Sequence, residues 1–204
     1  MIRKRKFTKT VGCLIMASII VAMIYGSSAK AIIVTTAVDI TPVIQAESNW
    51  CWAACAEIGG KNAKPNAIRN QYEVVHFLKG TTADAYPNEP GSLSDSVVGS
   101  EFVSNYIMAF DYGDVFTYSE ITEHLAKGYV IQAAAGYYNW LGIRVGGHMV
   151  VINCTQFADV AGEDPYRLTY FDPWDGTSHT CTYDEFCDGS YNGREYDATV
   201  YPEV

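Results

Sequence analysis

Basic residues are scarce in this chain: 14 Lys and Arg stand against 23 Asp and Glu among 204 residues. Six of the 14 lie in residues 1–31, which hold no acidic residue, so the remainder carries eight against 23, a net charge of −15 (8 − 23). That deficit opposes binding to nucleic acid or to anionic membranes, and favours solubility or attraction to basic partners and substrates. A membrane-length apolar run is also missing: the longest, Val11 to Tyr25, falls short of the ~20 residues that span a bilayer. No internal repeat, heptad pattern or low-complexity tract is present. The cysteines lack the tight paired spacing of structural zinc ligands, since Cys51 and Cys55 are separated by three residues and Cys181 and Cys187 by five. No metal and no cofactor is therefore expected.

Residues 1–31 read as a secretory signal peptide: Arg3, Lys4, Arg5, Lys6 and Lys9 lead into the apolar run, and Ala29-Lys30-Ala31 supplies small residues for cleavage. Cleavage there leaves residues 32–204, a comfortable size for a single secreted domain. Five of the six cysteines remain, and an odd count leaves at least one thiol unpaired in an oxidising compartment. Cys181 and Cys187 could close a small loop. Cys55 is one turn below Cys51, about 6 Å along a helix, whereas Cys154 is about 20 Å along a strand from His148. If Cys51 and His148 touch, Cys55 and Cys154 cannot bond, and both are expected to be small core residues.

What is present is concentrated in Gln45-Ala46-Glu47-Ser48-Asn49-Trp50-Cys51-Trp52-Ala53-Ala54-Cys55. An amide side chain stands six residues before a cysteine that opens an apolar, helix-like run. The partial positive charge of a helix N-terminus stabilises a thiolate in the first turn. Asn49 or Ser48 is placed to cap that turn. Gln45, on an extended segment before the helix, can aim N–H groups at the oxyanion formed when Cys51 attacks a carbonyl.

This spacing of Gln and Cys-Trp resembles the papain-like cysteine peptidases. The wording Asn49-Trp50-Cys51-Trp52-Ala53-Ala54 is most similar to the compact bacterial branches: double-glycine (bacteriocin-processing) peptidases, staphopains, and effector cysteine proteases of plant pathogens. The Cys-Gly-Ser-Cys-Trp wording of papain and the cathepsins is absent, with Ser48, Asn49 and Trp50 preceding Cys51 instead.

A cysteine nucleophile needs a base, and four histidines compete. His148 follows Gly146-Gly147 and opens the β-branched run Met149-Val150-Val151-Ile152, so a rigid strand can aim it. The two glycines leave room for a substrate backbone. His76 and His124 lie in helix-like patterns, and His179 in a polar turn or strand, the weaker alternative base. Asp172, at the end of the strand-like Arg167-Leu168-Thr169-Tyr170-Phe171 and before the Pro173 turn, is the candidate to orient the imidazole, with Asp175 as its alternative. The resemblance adds weight to Asp172, because an Asn or Asp before Pro-Trp closes the triad in the bacterial relatives. Trp140, Gly147 and Trp52 are candidate substrate-binding residues. Trp50, Trp52 and Trp174 are expected to pack around the site.

Helices are expected over 49–60, ended by Gly59-Gly60, over 66–79, 94–109 and 117–127, and strands over 129–136, 147–154, 167–171, 178–183 and 197–202. Helices before strands predict an α+β fold of two layers, in which an N-terminal helical half carrying Cys51 packs against an antiparallel sheet carrying His148 and Asp172, as the resemblance also implies. The expected protein is a secreted, monomeric cysteine endopeptidase acting on protein or peptide substrates, using Cys51, His148, Asp172 and Gln45. A transglutaminase or amidase, sharing the thioester intermediate, and a non-catalytic extracellular binding domain are the alternatives. Residues 32–44 are too few for a folded inhibitory prodomain, which points control toward an inhibitor protein or export itself.

Overall fold

The longest buried runs within strands, Ile131–Gly136 and His148–Ile152, belong to adjacent antiparallel strands at the centre of the sheet. The computed structural model describes residues 32–81 and 85–204, and Ile32–Val204 form one compact unit. The signal segment expected over residues 1–31 lies outside the described residues. The order is β1 (Ile33–Ala37), α1 (Cys51–Ala63), α2 (Gln71–Lys79), α3 (Leu93–Ser104), β2 (Phe110–Gly113), α4 (Tyr118–Ala126), β3 (Ile131–Tyr138), β4 (Arg144–Ala158), β5 (Tyr166–Asp172), β6 (Thr177–Thr182), α5 (Tyr183–Asp188) and β7 (Glu195–Pro202). The strands form one antiparallel sheet in the order β2-β7-β3-β4-β5-β6. Long β4 pairs with β3 through its first part and with β1 through Cys154–Ala158, while β5 runs along its other edge.

The α+β class expected from the sequence is present, but the two-layer arrangement is corrected. Antiparallel sheets commonly leave one face wet and show a polar alternation; here successive residues of β4 are apolar and buried. Met149 and Val151 join the core with Trp50, Trp52 and Ile58 of the N-terminal half, whereas Val150 and Ile152 pack with Ile121 and Leu125 of α4 and Phe186 of α5. Helices therefore cover both faces.

Gly59-Gly60 do not end the first helix, which continues to Ala63. They are the surface on which α3 rests: a Cβ at Gly60 would collide with Val103 and the Ser100 carbonyl, and one at Gly59 with the Gln132 amide. The second helix begins at Gln71 rather than 66 because Asn70 and Glu73 form a reciprocal capping box there. The third stops at Ser104, where Asn105 and Tyr106 take positive φ and the Tyr106 N–H closes on the Glu101 carbonyl. Strands β1 and β2 and helix α5 were not expected. Cys181 and Cys187 are free thiols rather than a closed loop, and Cys154 is half-buried rather than in the core, whereas Cys55 is fully buried.

Candidate functional site

Cys51 is the first residue of α1, and the N-terminus of that helix differs from the others. Helices α2 to α5 each begin with a complete capping box, whereas Trp50 gives α1 no side-chain cap. The expected caps are engaged elsewhere: Asn49 donates to the Asn88 carbonyl at 3.0 Å, and the Ser48 hydroxyl accepts from the Asn88 amide at 3.0 Å. First-turn N–H groups have no intrahelical acceptor, and no acidic residue lies in this turn. The positive end of α1 is thus left bare around the thiol.

The sheet supplies the imidazole. Val151 pairs with Phe171, so one residue further along Asp172 stands across from Val150 and diagonal to His148, on the same face of the strands. His148 Nε2 lies 2.5 Å from Asp172 Oδ1. With Nε2 bound to Asp172, Nδ1 is the ring nitrogen left for the Cys51 side chain, which also interacts with the imidazole. Burial alone would push the imidazole down, but the bond to Asp172 and the Cys51 sulfur outweigh it and raise His148 to about 9. Burial would likewise raise the Asp172 carboxyl; the His148 bond, the Trp174 N–H at 2.8 Å and the charge of Arg194 hold it below its ordinary value.

The Gln45 segment is tied to the same frame. The Gln45 N–H donates to the Pro173 carbonyl at 2.9 Å, beside Asp172. Gln71 clamps the flanking residues, accepting from the Ala46 N–H at 2.9 Å and donating to the Ile44 carbonyl at 2.8 Å. Glu57 of α1 in turn accepts the Gln71 N–H at 2.7 Å. The Gln45 side chain itself does not line the main cleft. Its amide donates to the Glu47 carbonyl at 2.8 Å, and its Oε1 is buried with no hydrogen-bond partner among the described residues.

Cys51 and His148 open into a cleft of about 620 Å³ whose walls include Ser92, Tyr137, Arg144, Gly147, Trp174 and Arg194. Of the expected substrate-binding residues, Gly147 is in the wall. Trp140 is not: it is 91% exposed, beyond the cleft, on the turn between β3 and β4. Trp52 is not either, being buried beneath Gly91 with its indole N–H on the Glu89 carbonyl at 3.2 Å. Trp50 is buried, whereas Trp174 is exposed at the rim. The alternatives His179 and Asp175 pair with each other at 2.8 Å, and neither lines the cleft. With Asp172 they form a group that could hold a cation, but both Asp172 oxygens already accept bonds from His148 and Arg194.

Arg194 is the neighbour that sequence reasoning missed. It donates to Asp172 Oδ2 at 3.2 Å and to the Tyr137 hydroxyl, and its guanidinium lies over the Tyr137 ring. The available signal was scarcity: in so acidic a chain, a cation just before a strand is worth locating. The chain matches no protein-family model and no curated protein. Its chemistry is read from the site.

Proposed function

We propose that this protein is a thiol-dependent acyl-transfer enzyme, and specifically a secreted cysteine endopeptidase with a papain-like fold. Cys51 attacks the scissile carbonyl, His148 takes the thiol proton and delivers one to the leaving amine, and Asp172 orients the imidazole and stabilises its cationic form. The Cys51 backbone N–H, unpaired within α1, stabilises the oxyanion, and the Gln45 amide joins it by turning away from the Glu47 carbonyl that it meets in the resting site. Water then releases the acyl group from sulfur. The observation that carries the reading is His148, buried between the Asp172 carboxylate and a thiol on an uncapped helix N-terminus.

The two halves have complementary duties. The bare end of α1 offers its unpaired N–H groups beside the attacking sulfur, and the buried Asp172 favours the imidazolium that receives the thiol proton. The His148 bond, the Trp174 N–H and Arg194 together hold Asp172 ionised, and Arg194 ties it through Tyr137 to the cleft wall.

The test is incubation of residues 32–204 with a diverse peptide pool, with and without a thiol-directed epoxide. Epoxide-sensitive cleavage that disappears in Cys51→Ala supports the peptidase. Ammonia release or amine incorporation without cleavage replaces it with amidase or transglutaminase chemistry. No reaction of any of these kinds leaves a binding domain.

A further inference from the structure

Arg144 opens β4 four residues before His148, in the wall of the cleft that holds Cys51. Its Nε donates to Asp197 Oδ2 at 2.6 Å, and the Tyr138 hydroxyl donates to the same oxygen at 3.0 Å. That anchors the stem side of the guanidinium. The planar group crosses a floor without side chains, because Gly136 of β3 pairs with Gly147 of β4. A Cβ at Gly136 would collide with the Asp197 carboxylate and Arg144 Nε, and one at Gly147 with Arg144 Nη2. Gly136 and Gly147 therefore leave room for the arginine side chain.

The Arg144 side chain remains 48% exposed, and its Nη groups make no hydrogen bond among the described residues. Arg194, the other guanidinium in the wall, is bound to Asp172 and Tyr137. Among the described residues no aspartate or glutamate lines this cleft, although acidic residues outnumber basic ones across the chain. A guanidinium held on one side, half exposed in the cleft wall and with both Nη groups free of hydrogen bonds among the described residues, matches a carboxylate in charge and geometry.

We infer that Arg144 forms a carboxylate-binding subsite, so that the enzyme proposed above takes peptides bearing a carboxylate beside the scissile bond. The inference rests on that reading only for the word peptide; the anion site stands on geometry alone. Because the surrounding surface is acidic, the attraction is a short-range contact in the cleft and not long-range steering.

One arm of the test needs no turnover. Alkylation rates of Cys51 by anionic iodoacetate and neutral iodoacetamide are measured for the wild type, Arg144→Gln, Asp197→Asn and Arg167→Gln. The iodoacetate-to-iodoacetamide ratio is expected to fall roughly tenfold in Arg144→Gln, the low end for a charge-assisted hydrogen bond. It is expected to hold in Arg167→Gln, a distant loss of charge, and in Asp197→Asn, which frees the guanidinium while removing its anchor. An unchanged ratio in Arg144→Gln, or an equal fall in Asp197→Asn, overturns the inference and leaves Arg144 as a strand staple. The second arm compares kcat/KM for matched peptides with Asp or Asn near the cleavage point, and with free or amidated C-termini, which separates a side-chain carboxylate from a terminal one. An Arg144-dependent preference for either supports the subsite, and its absence in a cleaving enzyme overturns it. If no peptide is cleaved yet the alkylation ratio depends on Arg144, the proteolytic reading fails and the anion site survives.

Discussion

Replacing Asp172 with Asn removes the charge that holds His148 protonated while keeping a side chain of nearly the same shape. In the wild-type fold the imidazole is raised from 6.5 to about 9 despite burial that opposes it. At about 1.4 kcal/mol per pH unit, that rise corresponds to roughly 3 kcal/mol of folding stability. A group whose folded pKa is raised gives its stabilisation in full below the unfolded value and loses it as pH rises through the folded one. The destabilisation of Asp172→Asn should therefore be largest near pH 6, where Asp172 is ionised and His148 protonated. It should shrink as pH passes about 9, by the part of that rise which Asp172 rather than the Cys51 sulfur supplies. What persists above that pH belongs to the lost Arg194 contact. Urea unfolding across this range measures the stability, and an NMR titration of the His148 ring measures its pKa directly. With Asp172 neutral, burial dominates and the ring should titrate well below about 9. A His148 midpoint that stayed near 9 in the variant, or a destabilisation that grew with pH, would refute the assignment of Asp172 as its ionic partner.

Other consequences follow from the same geometry. Burial raises Cys55, Cys154, Cys181 and Cys187, so limiting iodoacetamide at mildly acidic pH should label Cys51 first; peptide mapping that finds another cysteine modified first contradicts this. Gln45→Ala should lower kcat by ~10²- to 10³-fold while leaving alkylation of Cys51 largely intact, and a change confined to KM would remove Gln45 from the oxyanion site. Gly60→Ala should cost about 1–3 kcal/mol by forcing α1 away from Val103, read as a lower urea midpoint. Expression in a bacterium with working export should yield a mature N-terminus at Ile32, and active protein retaining Met1 in the membrane fraction would argue for an anchor.

Legibility in the sequence followed the range of the interactions. Cys51 at a helix start depends on a few neighbouring residues, and the His148 and Asp172 strands each announce themselves by a short apolar run with a glycine pair or an Asp-Pro turn. Their adjacency in the sheet then followed from a single β4–β5 connection. Gly59-Gly60 were misread because a glycine pair ends a helix by local rules, whereas here it admits a neighbouring helix that only tertiary packing reveals. Burial of both sheet faces was hidden for a related reason: continuous apolar runs such as Met149-Val150-Val151-Ile152 identify a strand without saying what lies on either side of it. Arg144 and Arg194 acquire meaning from Gly136, Asp197 and Tyr137 on other strands. Nor does spacing disclose that Gln45 rests on Glu47, outside the cleft wall.

The central claim is that Cys51 carries the acyl group, and intact-mass spectrometry of acid-quenched turnover tests it most directly. The account predicts a transient adduct, equal in mass to the acyl portion of a cleaved peptide, mapped to Cys51 as a thioester and missing in Cys51→Ala. Peptide cleavage that persists in Cys51→Ala, or an adduct that forms on any other residue, would contradict it.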